Sequence, residues 1–320
     1  MNTSSSLFLS AMQFVGIFVL MSSSALWLRY KGVIAFEHST IISRMITDLV
    51  LPALVFYKMS STQLHFEAAS SIAALLSAEI VVGLIAWFVG RYLINLDRPS
   101  LGAFILASTF GSTNLMGSAL VQIVFPGNSE ALATGMFLSF SGVGIPLSSI
   151  GIIIAIYFGD GKEDANPSEL FKTFLGNPVV LAFFFGIAWS YFSLPTSGPF
   201  LDVIFGALKF IGISLTFLVA LLTGLTIKPL AKNDFSWPLI SCSVLVLVLE
   251  PLLAYHFKLQ NGNKDFSTIL LLLLGSMPSS PLAIAFSLRY GCNVALASKL
   301  VVGTSIICGV TLPIISYYYS

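Results

Sequence analysis

The feature that most constrains this chain is a succession of ten apolar stretches, each near the length of a membrane-crossing helix, at about 7–28, 39–59, 67–94, 100–125, 130–158, 171–192, 200–226, 236–257, 266–290 and 294–318. A hydrocarbon layer about 30 Å thick takes about 20 helical residues. Runs such as VLVLVL and ILLLLLG are apolar on every face, which excludes the alternating pattern of a β-barrel and leaves helices as the spanning element. With 56% hydrophobic and only 9% charged residues, the chain is an integral, multi-pass membrane protein. The first run lacks a preceding basic region, so it reads as a span and not as a cleaved signal.

The formal net charge of +1 conceals an uneven distribution. With the N-terminus outside, the inner loops and helix ends carry Arg29, Lys31, Arg44, Arg91, Arg98, Lys162, Lys172, Lys228, Lys232 and Arg289, against Lys58, Lys258 and Lys264 outside. Ten against three predicts both termini on the non-cytoplasmic side. The longest polar connection, residues 160–170, then lies on the cytoplasmic side and separates a first repeat, 1–159, from a second, 171–320. Five spans is an odd number, so two related halves run through the membrane in opposite senses.

A gapless comparison supports that relation: residues 111–133 over 275–297 share seven identities in 23 positions, including Gly111 with Gly275 and Ala131-Leu132-Ala133 with Ala295-Leu296-Ala297. Each stretch also places helix breakers inside an apolar span. Pro278 and Pro281 lack an amide proton and clash with the preceding turn, so carbonyls lose their intrahelical partners. Backbone freed at membrane depth is tolerated only against protein or a water-filled cavity, and broken helices present partial charges there. The alternative is an ordinary kink, the default for Pro52 or Pro251 alone. The paired stretches instead point to one central site bearing Ser112, Thr113 and Asn114, flanked by Gly111 and Gly117, opposite Ser276, Ser279 and Ser280. The expected fold is all-α, with ten transmembrane helices in two inverted five-helix repeats and crossed broken helices 4 and 9.

The same residues resemble the auxin efflux carrier family, through Met277, Pro278, Ala283, Tyr290, Gly291, Ala297, Ser298, Leu312 and Pro313 in the second half. In the first half the similar residues are Ser43, Arg44, Leu51, Pro52, Ala53 and Phe56, then Phe110, Gly111, Thr113, Met116, Gly117 and Gly127; Asn177, Pro178 and Gly186 are similar in the sixth span. The resemblance implies a scaffold of helices 1, 2, 6 and 7 and a moving transport domain of helices 3–5 and 8–10, within a fold superfamily that includes the sodium-coupled bile acid carriers. It implies an organic anion as solute, alternating access, and a homodimer as the assembly found in many relatives. Departures from the family pattern fall on the site: Ser112 replaces an asparagine, Asn114 is shifted, Ala119 replaces a proline, and Leu282 occupies a position that is polar in bacterial members.

Charged residues within spans cost at least about 2.5–3.5 kcal/mol each on insertion scales, so they carry a role by default. Glu79 and Glu250 hold corresponding places in spans 3 and 8, where proton uptake would remove that cost; proton or sodium coupling is left open. Asp48 and Lys209 are approximate counterparts able to pair inside the scaffold, and Lys299 can face an anionic site or reach the inner surface. No catalytic residues, metal site or cofactor is expected. His38, His65 and His256 lie near span ends without metal spacing, Cys242, Cys292 and Cys308 are scattered, no phosphate-binding loop is present, and no basic patch suits nucleic acid. Two functions remain: a secondary carrier of a small, anionic organic solute in contact with membrane lipid, or a receptor that binds a lipid or metabolite in the same cavity without moving it.

Overall fold

The computed structural model describes residues 3–61, 69–113, 117, 121, 125, 127–159, 172, 174–227, 236–260 and 266–319. In chain order its helices are α1 (Thr3–Tyr30), α2 (His38–Ser61), α3 (Ala69–Leu93), α4 (Arg98–Thr109), α5 (Glu130–Phe158), α6 (Pro178–Tyr191), α7 (Leu201–Thr226), α8 (Trp237–Leu259), α9 (Phe266–Gly275), α10 (Leu282–Tyr290) and α11 (Val294–Tyr319).

Helix starts follow local chemistry. Three helices begin with a polar residue and then proline within the first two positions: Asp97 before α4, Asn177 before α6 and Ser236 before α8. Proline is harmless there because its missing N–H has no intrahelical acceptor. Asn177 also caps α6, accepting from the Val179 N–H at 2.9 Å, and Asn293 caps α11, accepting from the Leu296 N–H at 3.0 Å. The end of α10 is set by Gly291, whose φ of +84° suits a residue without a Cβ.

Prolines deeper in the spans have a different effect. Pro52, Pro146 and Pro251 each follow a widened π-helical turn, at Ile46–Val50, Ser139–Gly144 and Leu245–Leu249. A proline ring meets the carbonyl four residues earlier, and a wider turn moves that carbonyl aside while the helix continues. Pro52 and Pro251 therefore lie in helices that continue past them.

The ten-span reading with two inverted five-helix repeats is overturned here. Among the described residues, six helices are long and apolar enough to cross a membrane: α2, α3, α5, α7, α8 and Val294–Leu312 of α11. Four of the ten expected spans are absent from that set: 7–28, which lies within α1, and three that fail for one reason, which is that apolar length favours the bilayer but does not ensure a continuous helix. The 100–125 run leaves the α-helix after Thr109, where Phe110 is extended at φ −112° and ψ 114°. The 171–192 run yields only the shorter apolar helix Pro178–Tyr191. The 266–290 run splits into α9 and α10, each about half a span. Six spanning helices with interruptions between them do not divide into two sets of five. The 160–170 linker lies outside the described residues.

The helices pack α2 against α6 and α7, α1 against α7 and α11, and α3 against α8 and α4. Small residues permit the closest approaches: Gly186 of α6 sits against Met59 and the Phe56 carbonyl of α2, and Gly224 of α7 sits against the Ser22 carbonyl of α1. Lipid offers little hydrophobic drive between helices, so this tight packing is itself the stabilising term. Large side chains such as Leu84, Phe185 and Phe210 remain exposed on the outside, as expected of faces that meet acyl chains.

Candidate functional site

The two breaks meet. Gly111 and Ser279 form an isolated antiparallel bridge. The Ser112 N–H donates to the Pro278 carbonyl at 2.7 Å, and the Ser280 N–H donates to the Phe110 carbonyl at 2.8 Å. Each break thus supplies the partner the other lacks, which satisfies backbone groups that leaving the helix would otherwise orphan. Residues 276–281 are non-helical; in the first break Phe110, Gly111 and Ser112 are outside any helix and Thr113 is π-helical.

A cavity of about 40 Å3 lies beside this crossing. At about 10–15 Å3 per water it holds roughly three water molecules. One wall is the crossing itself, through Gly111, Ser112, Ser280 and Leu282; the others come from α2 (Leu51, Leu54, Val55), the π-helical part of α5 (Phe140 to Ser148) and Leu215 of α7. None of these residues is ionisable, and the polar side chains among them are Ser112, Ser148 and Ser280. The N-terminal end of α10 opens at Ser280 and Leu282, which gives this wall a partial positive charge.

The crossing separates the predicted site residues. Ser112 and Ser280 line the cavity. Thr113 donates to the Ser139 carbonyl at 3.4 Å, and Ser276 donates to the Leu272 carbonyl at 2.6 Å, so both hydroxyls bond to backbone. The Ser279 N–H donates to Thr304 Oγ1 at 3.2 Å, and its hydroxyl lies 3.5 Å from Cys242 Sγ. Asn114 lies outside the described residues. Pro278 offers the carbonyl that Ser112 uses, Pro281 precedes α10, and Gly117 is buried against Leu274 and Ser139.

The charged candidates are placed elsewhere. Asp48 pairs with Arg289 at 3.3 Å, not with Lys209, which lies near enough to Lys58 for the two charges to repel. The reason is the path of α10, whose last turn brings Arg289 over the π-helical turn carrying Asp48. Lys299 is half-buried on α11 and absent from the cavity wall. Glu79 and Glu250 are buried and away from the cavity. The sequence reading missed the contributions of α2, α5 and α7. Most of these are ordinary aliphatic side chains, and the available signal was the proline that follows each π-helical turn.

Polar contacts also tie α10, which begins at the cavity wall, to its neighbours. Ser43 Oγ donates to the Ala285 carbonyl at 2.7 Å, Asp48 pairs with Arg289, and the Asn177 side-chain amide meets the Tyr290 hydroxyl. Among the described residues, no three His, Cys, Asp or Glu side chains group to hold a metal ion.

Residues 9–159 match the family model described as membrane transport protein. Over 286 residues the chain is 24% identical to an uncharacterized transporter of Methanocaldococcus jannaschii, covering 86% of this chain and 88% of that protein. An uncharacterized transporter of Methanothermobacter thermautotrophicus is 24% identical over 298 residues, covering 90% and 91%. The chain is a polytopic membrane protein related to these archaeal transporters, and none of these likenesses is to an enzyme.

Proposed function

We propose that this protein is a secondary transporter that moves a small organic anion across the membrane by alternating access at the crossing of the two breaks. The observation that carries the reading is the bridge between Gly111 and Ser279, which puts two interrupted helices and a cavity at one place among spanning helices. Half-helix ends at such a place can bind a solute without a buried formal charge. An anion is favoured because the α10 N-terminus faces the cavity and no lining residue is acidic. Apolar walls from α2 and α5 suit the carbon skeleton of an organic solute.

The cavity is too small for such a solute as it stands, which supports a closed state that must open. Opening requires α10 to leave Ser43, Asp48 and Asn177. On this reading α2, α6 and α7 stay fixed while the elements bearing the breaks move.

The test is a thermal-shift screen of mono- and dicarboxylates on purified protein, followed by flux of any hit into liposomes. A stabilising carboxylate that also crosses the membrane is the expected result. Stabilisation without flux would leave a receptor that uses the cavity for binding alone. No response to any carboxylate, alongside a response to neutral solutes, would overturn the anionic assignment.

A further inference from the structure

Away from the cavity, two carboxylates are buried on α3 and α8, which pack against each other. The two helices run antiparallel, and one contact sets their register: Lys258 Nζ donates to Ser70 Oγ at 2.8 Å. Glu79 is nine residues along α3 from Ser70, and Glu250 is eight residues back along α8 from Lys258. At about 1.5 Å per residue these steps are nearly equal, so the register sets Glu79 and Glu250 at nearly the same depth of two packed helices. The charge of Glu250 accordingly acts on Glu79.

Glu79 is 3% exposed and Glu250 is fully buried, and among the described residues Oε1 of Glu79 and both carboxylate oxygens of Glu250 have no hydrogen-bond partner. Lys258 is two turns along α8 from Glu250 and donates to Ser70. Independent observations mark the same place. Thr109 Oγ1, also buried and without a partner, lies against Gly83, one turn beyond Glu79 on α3. The C-terminal end of α9 comes against Pro251, next to Glu250, and adds partial negative charge.

Two opposed anions cannot both stay ionised in a dehydrated contact without a positive charge between them. We propose that Glu79 and Glu250 form a binding site for one monovalent cation, a sodium ion or a proton, at the α3–α8 contact beside the second break. Oxygen ligands from two carboxylates, a hydroxyl and a helix end suit a hard cation. The other ionisable groups on the elements packed there are Arg91 and Tyr92 on α3, Cys242, Tyr255, His256 and Lys258 on α8, Arg98 on α4, Glu130 and Tyr157 on α5, and Lys299, Cys308, Tyr317, Tyr318 and Tyr319 on α11. Because Pro251 touches Gly275, occupancy of the site bears on the position of the break itself.

The experiment needs no organic solute, so it stands or falls apart from the transport reading. Thermal unfolding of the purified protein is followed in sodium chloride against choline chloride, from acid to alkaline pH, for the parent, Glu79→Gln, Glu250→Gln and the double variant. A sodium site raises the parent's midpoint in a saturable way at alkaline pH, and either Gln variant loses the response. A proton site leaves sodium without effect, lowers the parent's midpoint as pH rises, and removes that slope in the double variant. Should the variants not fold, the parent alone decides, by equilibrium dialysis with radioactive sodium and by infrared absorption of a protonated carboxyl group. A parent that retains no sodium and shows no protonated carboxyl overturns the proposal, as does a parent whose sodium and pH responses match those of the double variant.

Discussion

Gly111 and Ser279 lie 168 residues apart in sequence and pair as a single antiparallel bridge at the centre of this helical protein. The bridge joins two interrupted helices through main-chain hydrogen bonds, so its strength does not depend on the side chains that line the neighbouring cavity. That separation between backbone and side-chain roles leads to the first prediction.

Ser112→Ala keeps the N–H that donates to the Pro278 carbonyl, whereas Ser112→Pro removes it and leaves a buried acceptor unpaired. The alanine variant should unfold within about 0.5 kcal/mol of the parent, and the proline variant should lose about 1–3 kcal/mol. Equal thermal midpoints for the two would show that the bridge does not support the fold.

Glycine positions differ sharply in the space they leave. A Cβ at Gly224 would run into the Ser22 carbonyl of α1, whereas one at Gly206 would meet nothing within 4 Å. Gly224→Ala should therefore force α1 and α7 apart and lower stability by about 1–3 kcal/mol. Gly206→Ala should be neutral or stabilising by up to about 1 kcal/mol, through helix propensity alone. Denaturation of both variants in the same detergent makes the comparison.

The Asp48–Arg289 pair is partly open, with side-chain exposures of 39% and 31%. Screening limits its worth, so Asp48→Ala should cost less than about 1 kcal/mol. Its larger effect should be on access: a cysteine placed at Leu282 should react faster with a water-soluble maleimide in the Asp48→Ala background than in the parent. The native Cys242, Cys292 and Cys308 are buried and provide a low background. Equal labelling rates would mean that the pair does not hold the cavity closed.

Leu282 is a half-buried side chain on the cavity wall. Leu282→Trp should fill the space at a cost of about 1–3 kcal/mol and abolish the thermal shift given by any carboxylate that stabilises the parent. Leu282→Ala should retain the response. Retention of the shift in the tryptophan variant would place the ligand elsewhere.

Much of this molecule was legible in the amino-acid sequence because its causes are local. Apolar runs specify a membrane environment, and Asn177 and Asn293 mark helix starts through their own side chains. Pro278 and Pro281 free carbonyls by local causes, a missing N–H and a ring clash, although proline leaves the helix continuous at Pro52, Pro146 and Pro251, where a π-helical turn precedes it. The number of spanning helices was not legible, because run length measures affinity for the bilayer whereas helix continuity depends on where freed carbonyls find donors. Only the tertiary structure decided that Phe110 and Pro278 carbonyls accept from Ser280 and Ser112, and so where each helix can stop. It also separated Ser112 and Ser280, which face the cavity, from Thr113 and Ser276, which bond to backbone. The partners of charged residues were beyond sequence reading for the same reason: Asp48 meets Arg289, not Lys209, through the packing of helices distant in the chain. Composition can state that a charge in a span needs a partner, but the choice of partner belongs to the geometry of the packed helices.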